Sequence, residues 1–218
     1  MNSMGIWIIG AGKFGTMAVE KLSRGIPASR IRVIDSSADK LTPFRGEYPT
    51  IRAEASDWMM QSVEELEKDE VLIPAIPSHV AFDWIARKMS GRCTLQPMSP
   101  GAVLLDALPH PIPRGNGQIL VSNAEFICPA NCSEPSDVCT YTRSARPREM
   151  HKYLGGLSSS GFHPIVLESR QMAPGVGGYT VNMLSHAYSL VEGAPMGTDI
   201  LFATACRCHG VINLFRLN

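Results

Sequence analysis

The sequence predicts an α/β protein: a doubly wound parallel sheet with a C-terminal β-α-β extension or small lobe that carries a cysteine loop. Three observations carry this expectation. The short apolar runs "IWII", "IRVID" and "EVLIP" alternate with segments whose apolar residues fall at helical spacing, which is the pattern of strands joined by crossover helices. The first run ends in Gly10, Gly12 and Gly15, and a helical pattern follows. The second run ends in Asp35, a βαβ unit's length after the first glycine.

Taken in order, "IWIIGAGKFG" reads as strand, tight turn and helix, with Phe14, Ala18 and Leu22 on the helix's apolar face. Gly25 and Pro27 stop that helix before the strand "IRVID". "TIRAEA" is a weak strand, and Ser56 caps a helix carrying Met59, Val63 and Leu66. The buried strand "EVLIPAIP" precedes a helix capped by Ser78, with Phe82, Ile85, Ala86 and Met89 at core spacing. "AVLLDALP" and "QILVSNAEF" read as two further strands around the turn-forming "GNG". A dinucleotide-type domain over 1–125 and a cysteine-containing region over 126–218 follow from this division.

In the second region "TYTRSARPREMHKYL" is polar and then helix-like, and "GGLSSSG" is a linker or surface loop. "PIVLES" reads as a strand and "APGVGGY" as a glycine turn. A helix from Tyr179 to Val191 then places Val181, Leu184, Tyr188 and Val191 on one face. "DILFATACRCHG" reads as a last strand that ends in Cys206, Cys208 and His209. This unit either extends the first sheet or packs on it.

Composition narrows the function classes. In 218 residues, Lys plus Arg and Asp plus Glu both total 20, so no basic field gathers a nucleic-acid backbone or an anionic membrane. The run Ile6-Trp7-Ile8-Ile9 stops at glycine, too short for a secretory or membrane-spanning segment. A cytoplasmic protein is expected. In that reducing compartment its six cysteines argue for metal binding, redox chemistry or burial before disulfides.

The glycine loop has a specific chemistry. Gly10 makes the turn, Gly12 lets the backbone approach a pyrophosphate, and Gly15 lets helix and strand pack closely. Lys13 and Phe14 complete the cofactor-binding loop, and the pyrophosphate would sit on the free N–H groups of the helix start. Asp35 can accept hydrogen bonds from the adenosine ribose and repels a 2′-phosphate, which favours NAD over NADP. Lys40 and Arg45 keep NADP open.

"GAGKFG" with a strand ending in "VID" resembles the NAD-binding domain of the TrkA/RCK family, cytoplasmic regulators of potassium transport, over residues 5 to 90. "IPAIPSHVAFDWI" is similar to the second βα unit of glucose-fructose oxidoreductase-type dehydrogenases. Both are Rossmann proteins. The resemblance implies a nucleotide-binding role for Gly10, Gly12, Gly15 and Asp35. The Glu-Lys-Pro catalytic motif of those dehydrogenases does not occur in this sequence, so it implies no catalytic residue.

The second signal is "CPANCSEPSDVC". Cys128, Cys132 and Cys139 lie on a proline-stiffened polar loop with little core to bury into, which points to ligation of zinc or an iron–sulfur cluster. Cys206 or Cys208 can supply a fourth ligand, with His209 as an alternative, while isolated Cys93 reads as core. "GVGG", assisted by Arg170, is a second candidate anion turn on the same crevice, and His79, His110 and His209 are candidate acid–base groups. The expected function is an NAD-binding redox protein with a cysteine-ligated centre, or else a non-catalytic NAD sensor of the RCK type with structural zinc. Its expected partners are the dinucleotide and a small-molecule or protein redox partner, with homo-oligomer formation left open.

Overall fold

Apolar runs without a polar face need cover on both sides, and the chain supplies it with two sheets and helices between and outside them. The computed structural model describes residues 4–157 and 161–218. In chain order the strands and helices of the first part are β1 (Ile6–Ile9), α1 (Lys13–Leu22), β2 (Ile31–Asp35), α2 (Ala38–Leu41), β3 (Thr50–Arg52), α3 (Ala55–Ser62), β4 (Val71–Pro74) and α4 (Val80–Met89). Next come β5 (Leu95–Pro97), α5 (Ala102–Ala107), β6 (Ile112–Gly115), β7 (Gln118–Ser122), α6 (Met150–Gly155) and β8 (His163–Glu168). The last are β9 (Arg170–Ala173), β10 (Val176–Thr180), α7 (Val181–Glu192), β11 (Asp199–Ala205) and β12 (His209–Leu217).

The first sheet has the order β3-β2-β1-β4-β10-β9. Its first four strands are parallel, and β10 and β9 add antiparallel to β4 and to each other. The second sheet runs β6-β7-β12-β11-β8, with β5 also on β12. Only β8 and β11 pair in parallel there. The fold is α/β with two mixed sheets, where a doubly wound parallel sheet with a C-terminal β-α-β extension or small lobe was expected.

One core cluster runs from β1 and β4 through α3, α4 and α7 to β8, β11 and β12, so those helices are shared between the sheets. A second cluster packs α1 on the outer face of the first sheet, and a third packs α5 and α6 on the second. His79, the N-cap of α4, is buried between the layers. Its Nδ1 meets Asn213 Oδ1 of β12 at 2.7 Å and its Nε2 meets Thr204 Oγ1 of β11 at 2.8 Å. This pairing is structural and answers one of the three histidine expectations.

Several elements differ from the sequence reading. "AVLLDALP" contains the helix α5, which buries Leu104 and, at its C-cap one turn on, Leu108. "GVGG" is strand rather than helix-leading turn. The turn lies at Gly175, and α7 is capped by Thr180, whose side chain accepts from the Met183 N–H. Gly178 is required there because a Cβ would come within 2.8 Å of the Leu72 carbonyl oxygen. The last strand stops at Ala205, and β12 follows the cysteine turn as a central strand the sequence reading omitted. Glu54 and His79 stand at the N-caps expected for Ser56 and Ser78. Phe14 is 55% exposed, off the apolar face it was assigned. Cys93 is half-buried beside the main core. Part of "GGLSSSG", residues 158–160, lies outside the described residues.

Candidate functional site

The loop after β1 uses its three glycines differently. Gly10 has φ +109, and a Cβ there would come within 2.9 Å of the Ala75 carbonyl oxygen; at Gly15 a Cβ would run into the Gly10 carbonyl oxygen. Both are required by the fold itself. Gly12, the N-cap of α1, is different: its φ −79 and ψ −163 suit any residue, and nothing lies within 4 Å of the position its Cβ would take. Lys13 and Phe14 are exposed beside it.

Asp35 closes the same loop from β2. Its Oδ2 accepts from the Ala11 N–H and its Oδ1 from the Ser37 N–H, both at 2.8 Å. Each carboxylate oxygen keeps a lone pair for a further donor. Lys40 in α2 and Arg45 beyond it are exposed.

The glycine hairpin lies on the same edge of the sheet. Because β10 runs antiparallel to β4 with Tyr179 opposite Leu72, its start at Val176 falls beyond the carboxyl end of β4, on the edge that carries Gly10. The Lys21 ammonium donates to the Pro174 carbonyl oxygen and ties α1 to this turn.

Over that edge lies a cavity of about 520 Å³. Cys128, Cys132, Cys139, Cys206, Cys208 and His209 line it, together with Phe14, Gly175, Val176 and Gly177. The five expected ligand cysteines therefore share one wall system, assembled from the loop after β7, the β9–β10 hairpin and the β11–β12 turn. Between β7 and α6 the only β pairing among the described residues is the bridge of Val138 with Ala145. Side chains and turns hold this segment instead. The Cys132 carbonyl accepts from the Gly175 N–H and from Gln171 Nε2, both at 2.9 Å. Gly175 has φ +75, and a Cβ there would run into the Ala130 carbonyl oxygen.

The Cys132 and Cys206 sulfurs accept backbone N–H groups. Cys132 Sγ accepts from Glu134 N–H at 3.4 Å and lies 3.2 Å from Thr140 Oγ1. Cys206 Sγ accepts from the Cys208 and His209 N–H groups, each at 3.4 Å. Such donors favour a thiolate, as they favour any anion. Glu134, held at φ +45, reaches across to accept the Arg207 N–H on Oε1 at 2.8 Å.

All six cysteines are free thiols. Burial pushes Cys206 up to about 12, helped by the Glu134 carboxylate, and pushes Cys208 up to about 11. Cys128 is raised by burial and then by the negative charge that Cys132 and Cys139 would carry. Hydrogen bonding from Thr142 lowers Cys139. Mutual repulsion also links Cys208 to Cys132 and Cys128, so a bound cation would reverse the interaction that keeps these groups protonated.

In donor chemistry the set suits a soft metal ion. Among the described residues, no three His, Cys, Asp or Glu side chains are gathered closely enough to hold one. Elsewhere, His110 pairs with Glu125 at 3.7 Å, and Arg170, which stands opposite Gly178 in the β9–β10 ladder, pairs with Glu168 at 3.1 Å. The sequence reading missed Arg146, which lines the cavity, and gave Glu134 no role. Glu134's place between Cys132 and Cys139 was the only signal available for either. No described helix is long and apolar enough to cross a membrane.

The family model AF_1314_C, described as "Uncharacterized protein, C-terminal domain", matches residues 81–218. A protein of Archaeoglobus fulgidus described as "Uncharacterized protein" is 29% identical over 228 residues, spanning 96% of this chain and 98% of that one.

Proposed function

The chain belongs to the AF_1314_C family, whose matched region carries every residue lining the thiol cavity except Phe14, and from that premise we propose an NAD-binding redox protein. In this reading the loop Gly10–Gly15 takes the dinucleotide on a Rossmann-type half-sheet. The cysteines at the same sheet edge hold zinc or an iron–sulfur centre. The observation that carries it is Gly12. Packing accounts for Gly10 and Gly15, but neither dihedrals nor neighbours call for glycine at 12. Close approach of a pyrophosphate does.

The chain's own groups have definite roles in this proposal. The first N–H groups of α1 receive phosphate oxygens, and Asp35, oriented by the Ala11 and Ser37 amides, receives ribose hydroxyls. Phe14 connects the two sites, since it belongs to the loop and lines the cavity. The dinucleotide supplies hydride chemistry when bound. A second reading, an NAD sensor of the TrkA/RCK type with structural zinc, is favoured by one observation: the thiol loop has almost no regular structure of its own, which a metal would order.

Fluorescence titration with NADH and NADPH tests the nucleotide site. NADH binds more tightly than NADPH, and Gly12→Val loses binding at least about tenfold while its circular dichroism and melting temperature stay near wild-type values, because nothing lies within 4 Å of the position its Cβ would take. Wild-type affinity in Gly12→Val overturns the placement, and preference for NADPH overturns the role of Asp35.

A further inference from the structure

The cavity of about 520 Å³ lies within the size range of small-molecule sites, roughly 300 to 1,000 Å³. Among the described residues that line it, Arg146 and Glu134 are the only Lys, Arg, Asp or Glu, one of each sign. Among the described residues, neither forms an ion pair, with the other or with any third group. Both charges nevertheless bear on Cys208 and on His209, whose protonation is set first by burial, so the two groups face one region of the wall.

Two lining side chains have hydrogen-bonding atoms left over. Arg146 Nη2 donates to the Pro135 carbonyl oxygen at 2.5 Å, while its Nε and Nη1 are buried without a partner. Asn123 Nδ2 donates to the Arg148 and Arg207 carbonyl oxygens, at 2.9 and 3.2 Å. Two carbonyl acceptors fix that amide's orientation, since only its nitrogen can donate. The Asn123 Oδ1 therefore needs a donor, and it too is buried without one.

Buried polar atoms without partners are rare and individually costly. A ligand that offsets both costs carries an acceptor for Arg146 and a donor for Asn123. Charge sharpens the match. The guanidinium favours an anionic acceptor, and the Glu134 carboxylate favours a cationic donor while repelling a phosphate dianion or a dicarboxylate. With one lining charge of each sign, the ligand that leaves no charge uncompensated is a zwitterion. Phe14, Phe126, Pro129 and Val176 supply apolar wall for the rest of it.

We propose that the cavity binds a free α-amino acid with an apolar side chain, its carboxylate on Arg146 and its ammonium on Glu134 and the Asn123 Oδ1. Both charged groups of such a ligand sit on one carbon, whereas a peptide carries them at opposite ends. One side-chain hydrogen bond anchors the guanidinium, which leaves it free to turn onto the carboxylate. The site uses no cysteine sulfur, metal or dinucleotide, so it stands apart from the function proposed above.

The experiment is isothermal titration calorimetry on the full chain, treated with chelator and free of nucleotide. The probes are L-phenylalanine, 3-phenylpropionate, which lacks the ammonium, and phenethylamine, which lacks the carboxylate. L-phenylalanine binds, and each one-charge analogue binds at least about tenfold more weakly, because the site's own polar groups are then left unpaired. Arg146→Met and Glu134→Gln each weaken L-phenylalanine by at least about tenfold, and Arg146→Lys, which keeps the charge, weakens it less than Arg146→Met. Glu134→Gln keeps an oxygen for the Arg207 N–H. If a variant fails to fold, the comparison of the three probes on wild type decides alone. Binding of 3-phenylpropionate as tight as that of L-phenylalanine overturns the proposal and makes the site one for a simple carboxylate. Binding that both folded variants leave unchanged overturns it by placing the ligand elsewhere. No binding of L-phenylalanine, L-leucine or L-methionine at millimolar concentration overturns it outright. The NADH titration is read separately, so either site can fail while the other stands.

Discussion

His79 shows how one residue can join two layers and set a pH limit. Burial lowers its pKa to about 4, against the opposing effect of its hydrogen bond to the Asn213 side-chain oxygen, so it is neutral in the folded protein at neutral pH. In the unfolded chain it titrates near 6.5. The folded value is the depressed one, so its contribution is complete above about pH 6.5 and is lost as pH falls toward 4. The difference amounts to about 3 kcal/mol at the acid end. Guanidinium chloride midpoints measured from pH 7 to pH 4 should fall across that window, and His79→Gln should flatten this part of the curve. Wild-type midpoints that do not move contradict the assignment.

At the scale of elements, the contact between the β9–β10 hairpin and the cysteine loop decides whether the cavity exists. Gly175 sits at φ +75 against the Ala130 carbonyl, so Gly175→Ala is strained twice, by its backbone and by its neighbour. We expect it to cost about 1 to 3 kcal/mol and to speed protease cleavage within residues 123–147. Limited proteolysis followed by mass spectrometry checks this, and an unchanged cleavage pattern would contradict it. The same hairpin shows what the sequence conceals. The strand–glycine–helix unit of β1 and α1, the acid at the end of β2, and strands β4, β8 and β11 could be read from apolar runs and punctuation. A strand containing Gly177 and Gly178 could not, because glycine ordinarily marks a turn and only the neighbouring β4 backbone explains it here. β12 was hidden for another reason: Ile212, Asn213, Leu214 and Phe215 are all buried, and a central strand covered on both faces lacks the alternation that identifies strands. α5 was misread because a short apolar run has no decisive period.

For the whole molecule, the cavity lies where loops of both sheets meet. Cys128, Cys132 and Cys139 are close in sequence, and their grouping was legible there. Their juxtaposition with Cys206 and Cys208 depends on the β11–β12 turn reaching the loop after β7, which only the assembled sheets bring about. A centre ligated across this seam would tie the β11–β12 turn to the loop after β7, so metal removal should affect more than one loop. The most direct measurement is elemental analysis and absorption spectroscopy of the protein purified without oxygen, repeated after chelation with limited proteolysis of both forms. The account predicts bound zinc or a brown iron–sulfur chromophore, lost in Cys128→Ser, Cys132→Ser and Cys139→Ser, and a loop over 123–147 that becomes protease-sensitive when the metal is removed. Protein that purifies free of metal with that loop equally protected before and after chelation would contradict it.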